Sequence, residues 1–73
     1  MSDNRRADAE NAIVQAIATW NQEHEFGCAF RDVALLTNLS LGRVHELCRD
    51  LRDAGRITFA DHVARSLKLP TEV

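Results

Sequence analysis

Apolar residues keep helical spacing in this chain as far as Leu51, then change to strict alternation from Ile57. A helical stripe and a half-buried strand need differently shaped partners, so that change narrows the architectures open to the chain. Its 73 residues narrow them further. A chain of this size buries only roughly 60% of the surface its unfolded form exposes, which limits it to one compact core. The 45% of apolar residues is enough to build such a core, and the single proline, Pro70, leaves the interior uninterrupted.

A first helix is expected from Arg6 to Gln22, because Ala9, Ile13, Ile17 and Trp20 recur at spacings of four and three, widened by Val14 and Ala18. Asp3, Asp8 and Glu10 suit the positive end of its dipole. Gly27 permits a bend, and Cys28-Ala29-Phe30 is short enough to be a single strand that receives a later hairpin. A second helix is expected from Arg31 to Thr37, with Val33, Ala34 and Leu36 as its apolar contacts. Asn38-Leu39-Ser40 breaks it, and Ser40 is placed to cap a third helix over Leu41 to Ala54. Val44, Leu47, Cys48 and Leu51 form the inward stripe of that helix, and Gly55 stops it.

Ile57 and Phe59, then Leu67 and Leu69, alternate with polar residues as two half-buried strands do. Facing Phe59 with Leu67 centres the turn on Val63; a short helix over 60–67 is the rival reading. The expected layout is a flexible N-terminus at 1–5, one domain at 6–70 and a tail at 71–73.

The net charge of -2 is unevenly spread: residues 1–26 carry -3, residues 27–55 are neutral and residues 56–73 carry +1. A nonspecific nucleic-acid coat would be strongly basic. Two cysteines are too few for a secreted disulfide scaffold and read as reduced core residues. The start lacks the apolar stretch of a signal peptide, and no run is long enough to span a bilayer. A cytoplasmic location without membrane association follows as the expectation.

Two helices joined by about three residues, with Leu39 in the turn, cross steeply and leave one face of the second helix projecting. The stretch from Phe30 to Ile57 carries Val33-Ala34, the turn Leu39-Ser40, the stripe Val44, Leu47, Leu51, and then Gly55 before Ile57. In these positions the chain resembles the winged helix-turn-helix superfamily of DNA-binding transcriptional regulators. The resemblance spans about residues 28–69. It implies a mainly α fold with a small β-hairpin, three helices plus a wing.

It also implies a small sequence-specific regulator of the phage or prokaryotic kind. Helix 41–54 would lie in the major groove of double-stranded DNA, with the wing at 60–66 on the backbone. The DNA-facing residues would be Ser40, Gly42, Arg43, His45, Glu46, Arg49, Arg56, Arg65 and Lys68. Arg43 and Arg49 have the fork geometry for guanine, Glu46 can accept from cytosine, and Ser40 opens a helix N-terminus suited to phosphate. The weak basic charge calls for a homodimer, through the first helix or the region of Trp20 and Phe26. The alternative is a winged-helix protein–protein interaction module in a larger assembly, which the acidic balance favours. The two are separated by whether Arg43, Arg49, Arg56 and Arg65 form a continuous positive surface or are interrupted by Glu46, Asp50 and Asp53.

Catalysis has little support, since phosphate loops, metalloprotease helices and nucleophile elbows are missing and one small core leaves little room for a pocket. His24, Cys28, His45 and Cys48 are a valid zinc set by type, but neither pair has finger spacing. No metal and no cofactor is expected.

Overall fold

In the computed structural model, residues 4–25, 27–60 and 65–70 are described. Three helices follow one another: α1 at Asn4–Glu23, α2 at Phe30–Thr37 and α3 at Leu41–Asp53. α1 begins two residues before the expected Arg6 and has no acidic residue in its first turn. Its start is held by an ion pair from Arg6 to Glu10, one turn on, and by a second from Arg6 to Asp50 of α3.

Local chemistry sets the other boundaries. Asp32 accepts the Ala29 N–H at 3.2 Å and so caps the start of α2. Asn38 ends α2 in the left-handed region at φ 62°, which an Asn side chain tolerates. The Ser40 hydroxyl accepts the Arg43 N–H at 3.2 Å, as the N-cap reading expected. α3 closes with a Schellman motif: Arg56 N–H reaches Leu51 carbonyl at 2.9 Å and Gly55 N–H reaches Arg52 carbonyl at 3.0 Å. Gly55 supplies the positive φ, 79°, that this motif needs.

Every helix packs on the other two around one core. Ile13 and Ile17 come from α1, Val33 from α2, and Val44, Leu47, Cys48 and Leu51 from α3, all buried. The inward stripes of α1 and α3 are those the spacing predicts. Cys28, Ile57 and Leu67 complete the core from outside the helices. Leu36, expected inside, is instead 56% exposed, because Phe30, Val33, Ala34 and Thr37 already fill the inner side of α2.

The expected β-hairpin is not formed, and the fold class changes accordingly: the described residues hold three helices and no β-strand. Two isolated antiparallel bridges stand in its place, Thr58 with Lys68 and Cys28 with Leu67. Thr58 and Lys68 exchange both backbone hydrogen bonds, at 2.8 and 3.0 Å. They share the register that would set Phe59 against Leu67, yet no ladder grows from them. The next bonded pair on one side would join Arg56 to Pro70, but Pro70 has no N–H and the Arg56 N–H is committed to the helix cap. On the other side it would join Ala60 to Ser66. There the Ser66 hydroxyl takes the Ala60 N–H at 3.0 Å and donates to its carbonyl at 3.3 Å, replacing backbone pairing with side-chain pairing. Arg65 beside it is left-handed, at φ 57°. Winged helix-turn-helix identity, which requires the wing, falls with the hairpin. The turn at Val63, with the rest of 61–64, lies outside the described residues; Ala60, Arg65, Ser66 and Leu67 are not helical.

Gly27 has a different role from the expected bend. A Cβ there would overlap the Arg65 carbonyl oxygen, so the glycine lets the C-terminal segment lie directly on the chain before α2.

Candidate functional site

With Val44, Leu47, Cys48 and Leu51 turned inward, α3 exposes Gly42, Arg43, Glu46, Arg49, Asp50 and Asp53. Its cations are interleaved with anions and partly spent on them. Arg43 pairs with Glu46 at 3.0 Å, and Asp50 is held by Arg6. Arg52 lies over the Phe59 ring, 4.3 Å from its centroid. Arg49 is exposed and has no ion-pair partner among the described residues.

The remaining expected contacts are scattered. Arg56 leans toward α1 and donates to Asn11 Oδ1 at 3.0 Å. Arg65 donates to Asp32 Oδ2 at 3.1 Å, bracing α2 against the C-terminal segment. Lys68 is exposed beside its bridge. His45 is stacked on Phe30, with centroids 4.1 Å apart and rings 19° to 24° from parallel in this pair and in that of Trp20 with His24. Ser40 is engaged as a cap, and Gly42 faces open space. Of these arginines, Arg43, Arg56 and Arg65 are engaged by Glu46, Asn11 and Asp32, and Glu46, Asp50 and Asp53 are exposed on the same helix as Arg43 and Arg49. With no strand in the described part of 56–70, the clamp of recognition helix and wing is not assembled. This removes the winged regulator, and the wing-based interaction module with it.

An apolar feature on the other side went unread in the sequence. Leu35 is 76% exposed, Leu36 56% and Leu41 44%. Beside Leu36 lies a shallow groove of about 390 Å³ between α1 and α2, lined by Ala12, Gln15, Ala16, Thr19, Leu36 and Thr37. None of these side chains is charged. A signal was present: on this eight-residue helix Leu35 lies nearly opposite Val33, and Leu36 lies off the side shared by Phe30, Val33, Ala34 and Thr37, so neither points squarely at the core. Trp20, by contrast, is half-buried against the core and stacked on His24 at 3.9 Å, while Phe26 lies outside the described residues.

Cys28 and Cys48 are free, buried thiols. Burial pushes Cys28 up to about 11, with Asp32 adding to the rise and Arg65 opposing it. Burial pushes Cys48 up to about 12, with Cys28 adding to it. Burial thus favours the protonated thiol at both positions. Among the described residues no three His, Cys, Asp or Glu side chains gather as a metal site, and no helix is long and apolar enough to cross a membrane. No family model, curated protein or solved structure matches the chain.

Proposed function

We propose that this chain is a non-catalytic docking domain that binds another polypeptide through the α1–α2 face. One observation carries the reading: Leu36, 56% exposed, lines an uncharged groove, and its sequence neighbour Leu35 on α2 is 76% exposed. Exposed apolar side chains clustered at a groove mark association sites, whereas single ones need no explanation. The interrupted charge of α3 supports the same reading against a nucleic-acid partner, since phosphate contact needs unneutralised cations. The two buried free thiols support a reducing, cytoplasmic setting.

The test places a photo-crosslinking residue at position 35 or at position 49 in cells producing the protein. A discrete polypeptide adduct from position 35, and none from position 49, is expected. In parallel the purified chain is offered a random DNA library at two salt concentrations. An enriched motif with steep salt dependence, together with DNA adducts at position 49, overturns the reading.

A further inference from the structure

We infer that the occupant of the α1–α2 face is a second copy of this chain, in a two-fold antiparallel pairing of α1 with α1. This rests on the polypeptide-docking reading above and names its partner.

Shape is the first argument. A closed two-fold interface uses one patch on both subunits, so that patch must complement itself. This face carries a protruding apolar side chain, Leu36, 56% exposed, in a groove lined by the small residues Ala12 and Ala16. Ala12 and Ala16 are one turn apart on α1 and let another helix approach closely.

Charge is the second. The groove stripe of α1 extends at three- and four-residue spacing to Arg5 at one end and Glu23 at the other. Both are exposed and have no ion-pair partner among the described residues. An antiparallel register that sets Ala12 against the partner's Ala16 also sets Arg5 against the partner's Glu23. The close approach and both ion pairs therefore come from a single register, which nothing in the packing of one chain requires. Antiparallel helices also oppose their dipoles favourably. The centre of the face is uncharged, so two chains of net charge -2 meet there without local repulsion. A charged peptide or a nucleic acid would find no counter-charge at that centre.

Size is the third. A standard interface buries about 800 Å² per partner, and this chain's surface is 5183 Å². A face of that area is about one-sixth of the surface, within reach of a 20-residue helix and the adjoining α2.

Sedimentation equilibrium of the full chain, from micromolar to millimolar concentration, tests the pairing. The expected mass rises from 8.2 kDa to twice that value. Arg5→Glu and Glu23→Arg should each weaken the dimer about tenfold, and the two together should restore it, because the swapped charges meet again across the axis. Ala16→Leu should block it while the helical circular dichroism is kept. A chain monomeric at every concentration overturns the inference, as does a dimer that ignores both Ala16→Leu and the charge swap. A monomeric chain that still crosslinks from position 35 to a polypeptide of another mass overturns the second copy alone. A monomeric chain with no adduct overturns the docking reading as well.

Discussion

Glycines at positions 27 and 42 separate two effects that share a residue type. At Gly27 the obstacle to a side chain is a backbone carbonyl, that of Arg65, which cannot rotate aside. Gly27→Ala should therefore cost about 2 kcal/mol or more by forcing the C-terminal segment off the chain before α2. At Gly42 a Cβ meets nothing within 4 Å, and the residue lies in the first turn of α3. Gly42→Ala should gain up to about 1 kcal/mol through helix propensity. Urea unfolding of both variants checks the opposite signs; a neutral Gly27→Ala would mean that the two segments do not touch. The thiols give a second expectation at this scale. Their folded values, about 11 for Cys28 and about 12 for Cys48, lie above the ordinary thiol value of 9.0. A raised value means that the folded state keeps protons which the unfolded chain releases. The associated stability is thus full below about pH 9 and is lost as pH rises toward about 12. Melting temperature should fall across that window, and less steeply in the Cys28→Ala/Cys48→Ala double variant once other titrations are common to both.

At the scale of elements, the helices were legible because their signals are local. A stripe at three and four, Ser40 as cap and Gly55 as terminator each act within a few residues, and each appears where the spacing predicts. The exposed leucines were legible in principle from the α2 wheel, but apolar character alone suggested burial for Leu36. The hairpin failed for a reason that alternation cannot carry. Period two reports which side chains face the core, and Ile57 and Leu67 do face it, both buried. It does not report whether backbone groups are free to pair. Pro70 and the committed Arg56 N–H stop the ladder at one end, and the Ser66 hydroxyl stops it at the other. Hydrogen exchange should follow this pattern. Thr58 and Lys68 amides should be protected, and Ser66→Ala should speed exchange at Ala60 while leaving those two unchanged. A continuous ladder would keep Ala60 protected in that variant. The candidate surface was legible only in part, because whether an arginine is free depends on partners distant in sequence, such as Arg6 for Asp50 and Asp32 for Arg65.

Across the whole molecule, the lack of a strand among the described residues of 56–70 changes what the C-terminal segment does. A projecting wing could be damaged with little loss of stability, since its tip contacts solvent and ligand. Here Leu67 is 1% exposed, its N–H is bonded to the Cys28 carbonyl at 3.1 Å, and it belongs to the same core as Leu47. The segment therefore closes the bottom of the bundle. Leu67→Ala should cost about 2–5 kcal/mol, the same range as Leu47→Ala, because each removes a fully buried side chain from one small core. A domain of this size has only about 4–11 kcal/mol of total stability, so either variant should be partly unfolded at 37 °C. Because all three helices share that core, loss should be cooperative, with helical circular dichroism and Trp20 fluorescence falling together. If Leu67→Ala instead cost under about 0.5 kcal/mol, as surface substitutions do, the C-terminal segment would be an appendage rather than part of the core.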